Sequence, residues 1–350
     1  MNKVSMQGIA DALGVSKNTV SLALRNDPQI PACTRERIME TARKMGYERN
    51  PAFGRVMSMM RKRGNSGSFG TIALFNANQD AGAFRKHPTI PKYIKGCLER
   101  ASSLGYSLDS FWLYEERMTG ERWRDILLSR GVLGVIFIGL MRENRLPPFM
   151  APVVADFPCV VTGVRTREPA LSFACVDHHI VTLRAFEKAL ELGYARPGLV
   201  MDGEIDELVD KRFSAGYSSG QQLVPPGNRL RPFMDIAKAR ADPTVFKDWL
   251  DREKPDVIFT LYNVVRHWLD DLRVRVPEDV GLIQLEWRDS RPDWAGMNQH
   301  NDITGAVAVD MLVGMIHNGE RGAPPFPRAT LVGPTWVDGL TVRAGSATRQ

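Results

Sequence analysis

Long hydrophobic runs are missing from this 350-residue chain. The longest, around residues 131–140, has the length of a strand, far short of the roughly 18 apolar residues a membrane helix needs. The first 25 residues hold Asp11, Lys17 and Arg25 and no apolar h-region, so no signal peptide is expected. Cysteine is scarce: Cys33, Cys97, Cys159 and Cys175 stand far apart with no CxxC pair. That spacing excludes a disulfide framework and a cysteine zinc site, and fits reduced thiols of a cytoplasmic protein. No GxSxG, HExxH, P-loop or GxGxxG-helix signature occurs, so catalysis and a nucleotide cofactor have no motif to rest on. The only histidine pair, His178-His179, points its rings apart on a helix, which disfavours a metal. No cofactor and no metal are expected.

Positive charge is present, and it is concentrated. Residues 1–63 carry twelve Lys/Arg against five Asp/Glu, a net +7, while the whole chain carries +6. The remainder is therefore near neutral, at −1. A small basic module on a neutral body is the electrostatic outline of a nucleic-acid-binding domain joined to something else. Within it, Met6, Ile9, Ala10 and Leu13 follow helical spacing behind a possible Ser5 cap, and Gly14 closes the helix. Ser16 caps a second helix over 17–25, and Ile38, Ala42 and Met45 mark a third over 32–45. Three short helices with a glycine-containing turn describe a helix-turn-helix domain.

The run Gly14-Val-Ser-Lys-Asn-Thr-Val-Ser21, with Thr34-Arg-Glu-Arg-Ile38 and Gly46-Tyr-Glu-Arg-Asn-Pro51, resembles the headpiece of the lactose-repressor (LacI/GalR) family of bacterial transcription regulators. The resemblance extends over nearly the whole chain. It implies that Lys17, Asn18 and Leu22 meet base edges of an operator. Lys17 suits guanine, Asn18 adenine, and Leu22 only an apolar contact such as a thymine methyl. Ser5, Ser16, Thr19, Ser21 and Thr34 are expected on phosphates, which fix register without reading sequence. In the family, a hinge segment folds on the operator and wedges a leucine into the minor groove. Here Val56 takes the leucine position with Met57 beside it, so the wedge stays apolar and either residue could supply it. Residues 64–68 read as a flexible joint.

From residue 69 onward, strand-like and helical runs alternate, the signature of an α/β fold with parallel sheets. Strands are expected at 71–75, 107–113, 132–138 and 159–162, then 198–201, a weak 230–234, 256–261 and 280–285. Helices are expected at 92–104, 182–192, 244–252 and 304–318. Two such sets suggest two doubly wound α/β subdomains facing a cleft. Val176-Asp177, Leu192-Gly193-Tyr194 and Val276-Pro-Glu-Asp-Val280 resemble markers of the family's periplasmic-binding-protein-like core. The organisation implied is a headpiece at 1–49, a hinge at 50–67 and a core at 68–350. The core's N-subdomain would take about 68–163 and 292–323, and its C-subdomain about 164–291 and 324–350, with crossings near 163, 291 and 324.

Ligands in open α/β sheets sit beyond the carboxyl ends of the strands. The effector-binding candidates read from those ends are Asn76, Phe84, His87 and Tyr93 after the first strand, and Asp177 near a crossover. Arg212 and Phe213 open a helix, Tyr262 and Asn263 follow one strand, and Glu286 and Trp287 follow another. The family usually has an arginine, an Asn-Asp pair and an aspartate at the last three places, and this chain departs at each. The expected function is a DNA-binding transcriptional regulator acting as a repressor. Its partners would be a palindromic double-stranded DNA operator, a small-molecule effector of sugar or sugar-acid type, and a second copy of the chain, with no membrane. The carboxyl end has no leucine heptad, so a homodimer is expected rather than a tetramer. A solute-binding protein and an enzyme on the same scaffold are the alternatives.

Overall fold

The computed structural model describes residues 6–24, 30–45 and 69–344, and the chain divides into two compact units between residues 66 and 67. In the first unit, α1 (Met6–Leu13), α2 (Lys17–Ala23) and α3 (Ala32–Lys44) enclose a small core. Ile9, Val20, Ile38 and Ala42 fill it, with Leu13, Val15 and Leu22 packed on its edge. Gly14 adopts a positive φ of 65°, a conformation that favours glycine, and Val15 N–H then closes the turn on the Ala10 carbonyl at 3.0 Å. The helix extents expected from sequence hold to within two residues.

The second unit begins with β1 (Gly70–Asn76), α4 (Ala83–Lys86), α5 (Ile90–Ser103) and β2 (Tyr106–Trp112). There follow α6 (Gly120–Ser129), β3 (Val132–Ile138), α7 (Ala151–Asp156), β4 (Cys159–Thr162) and β5 (Ser172–Val176). The chain continues through α8 (His178–Glu191), β6 (Pro197–Val200), α9 (Gly203–Leu208), α10 (Arg212–Gly220), α11 (Ile236–Ala241) and α12 (Thr244–Glu253). It ends with β7 (Val257–Thr260), α13 (Val264–Asp271), β8 (Gly281–Gln284), β9 (Gly296–Asn298), α14 (Asn301–Asn318), β10 (Ala329–Val332) and β11 (Thr335–Val337).

These strands form two sheets, ordered β10-β5-β4-β3-β1-β2 and β11-β9-β8-β7-β6. All pairings are parallel except β11 with β9. Helices cover both faces, which is why β3 and β4 read as unbroken apolar runs. On one face of the first sheet α5 and α14 cross at backbone contact. A Cβ at Gly96 would lie 1.8 Å from the Asp302 carbonyl oxygen, and one at Gly305 would lie 2.0 Å from that of Tyr93. α6 and α7 cover the other face through Trp123, Leu127 and Val153. In the second lobe, Phe246, Trp249 and Trp268 of α12 and α13 pack around β7 and β8, while Phe186 and Tyr217 line the opposite face.

Two expectations need correction. Residues 230–234 form no strand; they touch the second sheet through a single bridge, Val200 with Phe233. The lobe crossings also come later than expected. After the turn at Gly163 (φ 95°) the chain returns to the same sheet, because β5 pairs with β4 from Val160–Ser172 onward and β10 pairs with β5. β9, by contrast, belongs to the second sheet. The crossings therefore fall after 176, after 298 and after 332, not near 163, 291 and 324.

Candidate functional site

In the headpiece, Ser16 stands at the N-cap of α2, where its Oγ accepts from Thr19 N–H at 3.0 Å and lies 2.8 Å from Thr19 Oγ1. This satisfies one of the orphan donors of the first turn and sets the direction in which the helix starts. Lys17 and Asn18, next in line, are fully outward. Thr19, Ser21 and Thr34 are half-buried. Leu22 is half-buried too, with one side against the headpiece core, so only part of it is left for a base. Arg35 donates to the Ile30 carbonyl at 3.1 Å and braces the start of α3. Ser5, Val56, Met57 and the 64–68 joint lie outside the described residues.

In the core, the expected residues gather at the carboxyl ends of the strands, but most are already engaged. Glu286, after β8 of the second lobe, is a hub. Its Oε1 accepts from Thr89 Oγ1 of the first lobe at 2.8 Å and from Asn301 Nδ2 at 3.1 Å, and its Oε2 accepts from Arg288 at 2.7 Å. Beside it, Lys92 of the first lobe reaches Asp289 of the second at 3.0 Å. A further cross-lobe pair joins Arg167 to Asp210 at 2.6 Å. The two lobes are thus clasped by charge-assisted hydrogen bonds.

His87 faces this hub. Its Nδ1 accepts from the backbone N–H of Thr89 at 3.1 Å and of Ile90 at 3.3 Å. Burial lowers its pKa, the Glu286 carboxylate opposes that, and the Arg288 cation adds to it. Tyr93 is buried behind it, and burial followed by the Glu286 charge raises its hydroxyl's pKa, so it stays protonated. Asp177 caps α8 and accepts from Arg212 at 2.8 Å, with the two side chains 19% and 27% exposed.

Several expected ligand contacts are better described as internal supports. Asn76 is buried, donates to the carbonyls of Asp80 and Ala81 and accepts from Asn78 N–H, so it shapes the loop after β1. Phe213 is buried with its ring 4.6 Å from that of His178, and Phe84 packs on the α5 side of the first sheet. Asn263 accepts from Gln284 at 2.9 Å, and Tyr262 lies under the Arg240 guanidinium.

What remains unsatisfied is informative, because buried polar atoms ordinarily find partners. Thr162 Oγ1, His178 Nδ1, Arg212 Nε, Trp287 Nε1 and Asn301 Oδ1 are all buried with no hydrogen-bond partner. They sit near strand ends or lobe crossings of the two sheets. His178 and Arg212 line a cavity of about 370 Å³, walled also by Gly163, Phe173 and Cys175 of the first lobe and by Asp210 of the second. It can offer both donors and acceptors to a small polar molecule. Sequence reasoning missed Thr89, Arg288, Asn301 and Thr162. Thr89 lies between the candidates His87 and Tyr93, and Asn301 was hidden because its helix begins three residues earlier than expected.

Residues 5–50 match the model for "Bacterial regulatory proteins, lacI family". The chain is 24% identical over 344 residues to the HTH-type transcriptional regulator CelR of Thermobifida fusca, covering 91% of this chain and 94% of that protein. It is 28% identical over 200 residues to the HTH-type transcriptional regulator AglR of Rhizobium meliloti (strain 1021), covering 56% of this chain and about half (52%) of that relative. Among solved structures, a transcriptional regulator CelR–cellobiose complex superposes with a TM-score of 0.58 at 18% identity, covering 97% of this chain and 99% of the other. The lac repressor dimer bound to operator and the anti-inducer ONPF gives 0.56 at 17% identity, covering 98% and 100%.

Proposed function

We propose that this chain, a member of the LacI family of bacterial regulatory proteins, is a DNA-binding transcriptional regulator whose operator affinity is set by a small polar effector between the two core lobes. The observation that carries this reading is a juxtaposition within one chain. A capped helix presents Lys17 and Asn18 outward from a basic headpiece, and a two-lobed body leaves buried donors and acceptors unsatisfied where its lobes meet. Relatives that match are transcription regulators, which favours regulation over the solute-binding and enzymatic readings of the same scaffold.

Two headpieces on a palindrome would double the bases read, so the working form is a homodimer acting as a repressor in the cytoplasm. Lys17 and Asn18 read bases, with Leu22 giving a partial apolar contact. Ser5, Ser16, Thr19, Ser21 and Thr34 hold phosphates, and Val56 or Met57 is the minor-groove wedge. The effector is a polyhydroxylated molecule of sugar type, since the wall formed by Arg212, His178 and Asp210 mixes donors with acceptors. CelR, similar over nearly its whole length, is solved with cellobiose.

The test is operator titration with and without a panel of mono- and disaccharides, on wild type and Arg212→Ala. One sugar should change wild-type affinity by roughly 5–150-fold, and the variant should lose that response while binding operator normally without sugar. A response unchanged in the variant removes Arg212 from the effector site. Operator binding undiminished in a chain lacking residues 1–63 would sink the DNA-binding assignment, because that segment holds the +7 charge.

A further inference from the structure

A second cavity lies apart from the one between the lobes. It encloses about 1070 Å³ and is walled by first-lobe residues from the loops after β1, β2 and β3, from α7, and from residues 168, 169 and 323. Neither Glu286 and its partners nor Asp177 and Arg212 line it. Small-molecule sites typically span roughly 300–1,000 Å³ and are mostly apolar with a few placed polar groups. This one has that make-up. Tyr114, Leu140, Leu146, Met150 and Val154 form the walls, and Met141, 39% exposed, stands at the rim.

The charges around it cancel. Arg145 pairs with Glu168 at 2.7 Å, and the charge of Arg142 is offset by the opposite charge of Glu143 next to it. A ligand with net charge would lose its hydration without meeting an uncompensated opposite charge. Polar groups remain for an uncharged one: the amides of Asn78 and Gln79, and the Tyr114 hydroxyl, which burial and the Glu143 carboxylate keep protonated.

We propose that this first-lobe cavity is a second ligand site, which takes an uncharged, largely apolar ring compound bearing hydroxyl groups. Its occupant would lie close to the lobe clasp without touching the interlobe cavity. Gly139 lines the first-lobe cavity, and the Ile90 side chain is so near that a Cβ at 139 would meet it at 3.0 Å. Ile90 follows Thr89, one of the first-lobe residues bonded to Glu286.

The site is testable without knowing the natural ligand and independently of DNA binding. The full chain is titrated with the neutral dye N-phenyl-1-naphthylamine and, separately, with the anionic dye 1-anilinonaphthalene-8-sulfonate, following fluorescence. Blocking variants are Ala151→Trp, Ala155→Trp and Ala323→Trp, three exposed positions on the wall where an indole fills the cavity without unpacking the core. Wild type should bind the neutral dye saturably at one site per chain and more tightly than the anionic dye. Each blocking variant that melts like wild type should bind the neutral dye about tenfold more weakly or worse, because the filled space leaves no room. No saturable binding to wild type, or wild-type affinity in the folded variants, overturns the site. Equal or tighter binding of the anionic dye overturns the assignment to uncharged ligands.

Discussion

His178 makes the stability of the second lobe depend on pH, in a direction and size that follow from its surroundings. The imidazole opens α8, is 6% exposed, stacks near Phe213 and keeps Nδ1 buried without a partner. Burial foremost, and the Arg212 cation after it, push its pKa down to about 3, against a smaller opposing pull from Asp177. In the folded chain the ring is therefore neutral across the ordinary pH range, whereas in the unfolded chain it takes a proton below about 6.5. Between those values the unfolded state binds more protons, so stability is lost as pH falls. From pH 7 to pH 5, protonation stabilises the unfolded histidine, and so lowers the unfolding free energy, by about 2 kcal/mol. The perturbation is His178→Asn, which removes the titrating group, and the assay is urea unfolding of both proteins at pH 7 and pH 5. Wild type should lose about 2 kcal/mol more than the variant on acidification. The comparison cancels His87, whose depressed pKa acts in the same direction in both proteins. Equal losses would refute a buried, neutral His178.

Two further predictions concern the headpiece and the clasp. Asn18→Ala should cost about 1–3 kcal/mol on the preferred operator and relax preference at one base pair per half-site, whereas Ser16→Ala should weaken all sequences alike and lower headpiece stability by about 1 kcal/mol as the cap is lost. Equal effects of Asn18→Ala on specific and random DNA in a gel-shift titration would remove α2 as the reading helix. Glu286→Ala strips an acceptor from Thr89, Asn301 and Arg288 and should cost about 2–4 kcal/mol while letting the lobes part. An unchanged radius of gyration by small-angle X-ray scattering would show that Glu286 is no clasp.

Legibility from sequence followed burial. β3 and β4 emerge at the expected residues because both of their faces are covered, so the apolar run is unbroken. β5 is equally buried, but its Ser-Phe-Ala-Cys-Val run is short and mixed and follows a turn that looked like a crossing, so the lobe boundary was misplaced. β10 lies at the sheet edge with alternate residues exposed, which leaves too weak a pattern. α14 starts at Asn301 behind His300, a residue at positive φ with no side-chain cap, so its start carried no signal. In the site, position was legible and pairing was not. Glu286 and Arg212 are found by the rule that ligands lie beyond strand ends, but Thr89 is 197 residues from Glu286 and Asp177 is 35 from Arg212. Phe213 follows Arg212 on the first turn of a helix, and only the packed structure separates the outward residue from the one turned onto His178.

That difference between position and pairing bears on how an effector would act. Arg212 is bonded to Asp177, and Glu286 already has three donors, two of them (Thr89 and Asn301) from the other lobe. A ligand that engaged Glu286 would have to displace Thr89, and would gain only the surplus of its own hydrogen bonds over those it breaks. The unsatisfied Arg212 Nε and His178 Nδ1, both on the cavity wall, impose no such cost, since a partner there removes a standing desolvation penalty. A ligand held by these orphaned atoms alone would bind with the clasp intact and leave the lobes where they are. One that also recruits Glu286 must exchange a cross-lobe bond for a ligand bond, so its affinity depends on the lobe arrangement. Whatever that arrangement does to the headpieces on DNA, operator must then do to ligand affinity by the same factor. The clasp is thus what turns occupancy of the cavity into a difference between two states, and a ligand indifferent to it shifts nothing, however tightly it binds.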